Sequence, residues 1–220
     1  VDRDVYRFDG TIWSVDDTVP FPLGTELADV GGTAADDVWL VGGTGKIAHW
    51  GGAGWTDVSP PADPRNFLAV HALSRDDAWA VGDQGLLAHW NGAAWTTSSI
   101  GDSLPHLTGV WMSATDDVWA MDDWLSIWHF DGSTWTPTLP PNSRPVGVVW
   151  GAAPDDVWAG GPNGVLHHWD GAQWSAVGFL SLPTPGLNGM VGLTGADIWT
   201  VGDGGMIARF NGQEWTRPGM

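Results

Sequence analysis

The residues best suited to chemistry stand at five acidic turns and one repeated basic position. Asp36-Asp37, Asp76-Asp77, Asp116-Asp117 and Asp155-Asp156 are followed by Ala196-Asp197, and each is trailed by a basic residue: His49, His89, His129, His168 and finally Arg209. Carboxylates gathered on one rim could take calcium, which prefers roughly six to eight oxygen ligands. Two adjacent Asp per turn fall short of that number, and no Asp-x-Asp-x-Asp-Gly loop is present. One Asp capping its turn through backbone N–H bonds explains the same residues. The exchange of His for Arg points to hydrogen bonds or ion pairs with Asp37, Asp77, Asp117, Asp156 and Asp197, because a charged Arg does not ligate metals. No catalytic residue and no metal ligand is assigned. Calcium is the one cofactor weighed, and it is not favoured.

The 18 Trp supply a second chemistry. An indole face stacks on a pyranose ring while Asp, Asn and His bond its hydroxyls. Trp124 is the leading candidate: it falls in Asp122-Asp123-Trp124-Leu125, where the other turns read Gly-x-x-Gly. An apolar ring at a turn tip is costly unless it is packed or used. Packing on Trp128 would serve equally. Trp128, Trp111 and Trp150 are further ligand candidates, with Asp83, Asp123 and Asp203 at the turns. Packing between sheets accounts for most of the remaining Trp. There is no G-x-S-x-G, no HExxH and no phosphate-binding glycine loop, so an enzyme is not expected.

What positions these residues is an internal repeat. Trp39, Trp79, Trp119, Trp158 and Trp199 mark one place in it, and Trp55, Trp95, Trp135, Trp174 and Trp215 another, both with a period of about 40 residues. Each unit reads as a first strand, an acidic turn, a second strand such as Val38-Trp39-Leu40-Val41, a Gly-rich turn, a third strand such as Ile47-Ala48-His49-Trp50, and a fourth from the last Trp. Asn91-Gly92, Asp131-Gly132, Asp170-Gly171 and Asn211-Gly212 signal hairpin turns between the third and fourth strands. Closing the hairpin at the Gly-rich turn puts Ala48 opposite Trp39 and His49 near Val38, beside Asp37. The same register sets Ala88 against Trp79 and Ala208 against Trp199, with Trp128 and His167 breaking the pattern. Residues 1–23 match only the second half of a unit, and full units run over 24–63, 64–103, 104–142, 143–183 and 184–220. We therefore expect a single all-β domain. It is a five-bladed β-propeller of four-stranded antiparallel blades, with an additional N-terminal half blade.

Composition narrows the partners. The 220 residues carry 26 acids against 8 bases, a formal charge of −18. The charge argues against nucleic acid, since phosphates call for clustered Lys and Arg, and against docking on anionic lipid. No stretch reaches the apolar length of a membrane span, so no membrane insertion is expected. The absence of Cys rules out disulfides and thiolate metal sites. The chain begins at Val1 and carries no signal peptide, which suggests a mature or excised piece of a longer protein.

The pattern Asp-Asp-Val-Trp-Ala-Val-Gly, then Gly-x-Leu/Ile-x-His-Trp-Asp/Asn-Gly-x-x-Trp, resembles repeats of secreted bacterial β-propellers. It is similar in plan to the WD-repeat and BNR-like superfamily and to Trp-rich lectin propellers of the tachylectin and Photorhabdus-lectin types. No unit ends in Trp-Asp as WD repeats do. The Asp box of sialidases is not matched either, because Asp170 and Gly171 are adjacent. The resemblance implies a secreted or cell-surface protein without catalytic activity. Its first functional expectation is a lectin-like module with shallow, repeated carbohydrate sites between blades. The alternative is a structural or protein-interaction propeller module of a larger extracellular assembly. Partners are glycans or another protein, with self-association through the N-terminal half blade a further option.

Overall fold

A computed structural model describes residues 5–61, 63–101, 104–178 and 185–218. The described elements are β-strands and three-residue 3-10 turns, and no helix among them is long and apolar enough to cross a membrane. Five sheets each hold four antiparallel strands in sequence order. The chain is a five-bladed β-propeller. Its contacts divide it after Ile100 into two compact units.

The first unit opens with a hairpin, β1 (Val5–Phe8) and β2 (Trp13–Asp16). Blade 1 follows as β3 (Leu27–Ala34), β4 (Asp37–Gly42), β5 (Lys46–Trp50) and β6 (Trp55–Asp57). Blade 2 comprises β7 (Phe67–Ser74), β8 (Asp77–Gly82), β9 (Leu86–Trp90) and β10 (Trp95–Ser99). The first strands, β3 and β7, lie side by side. Asp29 on β3 ties them by accepting the Val70 N–H at 2.9 Å, and burial raises its carboxyl pKa.

The second unit holds three blades. Blade 3 is β11 (Leu107–Ala114), β12 (Asp117–Asp122), β13 (Ile127–Phe130) and β14 (Trp135–Thr138). Blade 4 is β15 (Val148–Ala153), β16 (Asp156–Gly161), β17 (Val165–Trp169) and β18 (Trp174–Ala176). Blade 5 is β19 (Leu187–Thr194), β20 (Asp197–Gly202), β21 (Met206–Phe210) and β22 (Trp215–Thr216). Here β11 lies beside β15, and β15 beside β19.

Trp residues weld neighbouring blades. The box Trp of blades 1, 3 and 4 lies on the two aromatic residues that flank the last hairpin turn of the next blade. Trp39 meets Trp90 and Trp95, each at a centroid distance of 5.3 Å. Trp119 meets Trp169 at 5.1 Å and Trp174 at 5.3 Å, and Trp158 meets Phe210 at 5.0 Å and Trp215 at 5.7 Å. Tilted and edge-on geometries of this kind set the negative ring face against the positive edge. Around them pack the strand residues that alternate toward the same face, such as Val41, Ile47, Phe67 and Leu86 between blades 1 and 2. Phe67 on β7 holds the place that Leu27 holds on β3, since both pair with the Gly that closes the second strand.

The register differs by one residue from the sequence expectation. Trp39 faces His49, and Ala48 faces Leu40. Likewise Ala88 faces Ala80 and Ala208 faces Thr200. The cause is a turn of three residues, Gly43–Gly45, between paired Gly42 and Lys46. Thr44 and Gly45 both take left-handed backbone, at φ 56° and 71°, which lets so short a connection close. The apparent breaks at Trp128 and His167 are therefore not breaks opposite the box Trp. They sit across from Ala120 and Ala159, whose small side chains leave room for the larger ring.

Candidate functional site

The box Asp opens the second strand of each blade, and the repeated cation lies on the third strand. His49 Nε2 lies 2.7 Å from Asp37 Oδ1, and its ring lies tilted against Trp39 at a centroid distance of 4.2 Å. The matching distances are 2.9 Å for His89–Asp77, 2.6 Å for His129–Asp117 and 2.8 Å for His168–Asp156. Arg209 Nε reaches Asp197 at 2.7 Å, and its guanidinium lies over Trp199. The Thr33 hydroxyl donates to the second Asp37 oxygen, and Ser113 does the same for Asp117. These carboxylates are thus spent inside the blade, orienting a ring against the box Trp. Thr33 and Ser113 escaped the sequence reading, although a hydroxyl four residues before the box Asp in two units was a usable sign.

The first Asp of each pair lies in the turn itself. Asp36 accepts the Arg75 guanidinium of blade 2 at 3.0 Å. It also packs against the last hairpin turn of its own blade: a Cβ on Gly52 would stand 2.9 Å from the Asp36 Cβ, and Gly52 has φ +90°. That is why Gly recurs there. Among the described residues, no group of three or more His, Asp or Glu is placed to hold a metal ion.

The opposite end of each blade carries the turns between second and third strands. Asp83 accepts the Asn66 amide at 2.8 Å. Asp203 accepts Asn188 Nδ2 at 2.7 Å and the Gly186 N–H at 3.2 Å. Neither Asn was singled out from the sequence, because the two stand one residue to either side of the strand's first apolar position. Asp122 accepts the N–H groups of Trp124, Leu125 and Ser126 at 2.8–2.9 Å, which fixes the aberrant third turn. Within the second unit, Thr108, Asp123, Pro162, Asn188 and Asp203 line a cleft of about 360 Å³ across blades 3 to 5.

The four candidate Trp separate sharply. Trp124 is 64% exposed, and the adjacent Leu125 is exposed too. Trp111 and Trp128 are buried and present no face to a ligand. Trp111 packs over Gly151 of blade 4, where a Cβ would come within 2.5 Å of the indole. Trp150 is half-buried and packs in the same way over Gly192 of blade 5. The small residue one blade away is what turns both into packing residues.

No protein-family profile and no curated protein matches the sequence. Solved structures do. A structure of YCF48 bound to a D1 peptide superposes with a TM-score of 0.72 at 17% identity, covering 94% of this chain and 71% of that one. Virginiamycin B lyase from Staphylococcus aureus gives 0.74 at 15% identity over 87% of this chain and 69% of that one. The WD40 propeller domain of Doa1 gives 0.72 at 9% identity over 88% and 68%. The resemblance to lectin propellers gains no support from these neighbours. At such identities the likeness shows the β-propeller fold alone.

Proposed function

We propose that the chain is a non-catalytic protein-interaction propeller. The turn face of its second unit takes a peptide segment that combines basic and apolar side chains. The observation that carries this reading is Trp124: its turn is held by three N–H bonds to Asp122, yet its ring stands in solvent. Asp123, next to it, lines the acidic cleft that also holds Asp203. A rigid aromatic anchor beside carboxylates that make no ion pair among the described residues suits an apolar residue flanked by Lys or Arg. The formal charge of −18 would steer such a partner. A propeller neighbour that holds a peptide, YCF48, is consistent with this use of the fold.

The test is a display library of peptides randomised over Lys, Arg, Leu, Trp and Ser, panned on the purified chain. Selected peptides should pair a basic with an apolar residue and bind more weakly as salt rises. Trp124→Ala should lower their affinity about tenfold or more. It should leave stability within about 0.5 kcal/mol, as for an exposed side chain. A library without enrichment would defeat the reading. So would a glycan array giving a hit that depends on Trp124, which would return the site to carbohydrate.

A further inference from the structure

The N-terminal hairpin is half a blade by geometry as well as by sequence. Phe8 pairs with Trp13 as Trp50 pairs with Trp55, and Arg7 precedes Phe8 as His49 precedes Trp50. In every blade the third strand is bonded on one side to the fourth strand and on the other to the second. In the hairpin, β1 has the first partner only among the described residues.

Three features of the hairpin and blade 1 register the same vacancy. The cation position is paired to a box Asp in all five blades, yet Arg7 makes no ion pair among the described residues and lies over the Trp50 ring at 4.9 Å. The aromatic pair of blades 2, 4 and 5 receives a box Trp from the preceding blade, whereas among the described residues Trp50 and Trp55 receive Arg7 and a hydrogen bond to Asp16. Val30 is 61% exposed, while Val70, its counterpart on blade 2 beneath the strands of blade 1, is 5% exposed. Between the hairpin and this face lies a cleft of about 730 Å³, lined by Val5, Arg7, Leu27, Val30, Leu40 and Trp50 among others.

We propose that this cleft is the seat of two added β-strands, supplied by a polypeptide segment with the first-half sequence of this repeat. Its second strand adds to the open edge of β1. Its box Asp pairs with Arg7, and its box Trp displaces the Arg7 guanidinium from Trp50 to lie on the Trp50–Trp55 pair. Main-chain hydrogen bonds supply affinity, and the Asp and Trp supply register. Blade 1 already shows the arrangement on blade 2, where β4 brings Trp39 onto Trp90 and Trp95.

The probe is a synthetic peptide of residues 64–83, which carries Asp77 and Trp79, titrated calorimetrically into the full chain. Saturable one-to-one binding is expected. Asp77→Asn in the peptide should weaken it about tenfold, the worth of one hydrogen bond to a charged group. Arg7→Asp in the chain should weaken it similarly, and pairing that variant with an Asp77→Arg peptide should recover most of the loss. Should Arg7→Asp fail to fold, the peptide substitution on the unaltered chain decides. Absence of saturation, or affinity indifferent to Asp77→Asn, would overturn the proposal. So would sedimentation equilibrium showing that the chain dimerises and that Trp13→Ser abolishes the dimer, because the edge would then belong to a second copy. The peptide library that tests the turn face reads Trp124 and the second unit, so the two ideas fail separately.

Discussion

One repeat position sits in five environments, and its burial predicts what each copy is worth. The Asp37 side chain is 2% exposed and accepts from both Thr33 and His49. Removing it by Asp37→Ala leaves a hydroxyl and an imidazole N–H without their acceptor beside the fully buried Trp39. Removing the carboxylate that accepts two hydrogen bonds at so buried a site costs about 3 kcal/mol or more. The lower figure applies here, since His49 keeps 18% exposure and water can reach it. With about 2–4 °C of melting temperature per kcal/mol for a chain of this size, Asp37→Ala should lower the transition by roughly 6–12 °C. Asp197 occupies the same position in blade 5, but it and Arg209 are 26% and 45% exposed. Solvent screens that pair, so Asp197→Ala should shift the transition little. Both variants would be melted and urea-titrated by Trp fluorescence with far-ultraviolet circular dichroism as a second probe. A double-mutant cycle of Asp37 with His49 would isolate the pair. Equal losses at the two positions, or a larger loss at Asp197, would refute the argument that burial and not the repeat motif sets the energy.

Gly151→Ala places a Cβ 2.5 Å from the Trp111 ring and Gly192→Ala one 2.6 Å from Trp150. Overpacking of this kind should cost about 1–3 kcal/mol in urea titrations. Gly54→Ala, with nothing within 4 Å, should stay within about 0.5 kcal/mol. Acid should act in two stages. Burial pushes His71 down from 6.5 to about 4. Its contribution is therefore complete above pH 6.5 and is lost as pH falls toward 4, a total of about 3 kcal/mol. His71→Gln should flatten that limb of a stability-versus-pH curve. Asp131 is lowered to about 2 by the Thr134 N–H and by the Ser133 hydroxyl and N–H, so its share persists above 3.8 and disappears as pH falls through 2.

The period, the strands and the box were legible in the sequence, because each rests on local chemistry. Alternating Val, Trp and Leu make half-buried strands, Asp and Gly make turns, and a period of about 40 residues makes a blade. The Asp–cation partnership was legible for the same reason: a His that exchanges with Arg can serve a carboxylate in the same blade. The register was not, since it hangs on whether the turn at Gly43–Gly45 closes over three residues or four. That depends on two consecutive left-handed residues, one of them Thr44, a type that does not advertise that conformation. Which Trp stand free was decided by tertiary structure alone. Trp111 and Trp150 are claimed by Gly151 and Gly192 one blade further on, whereas Trp124 has its backbone fixed and its ring left in solvent. The sequence thus determined what a blade is. Packing of one blade on another decided which of its rings remain available to a partner, because burial belongs to pairs of sheets and no single repeat contains it.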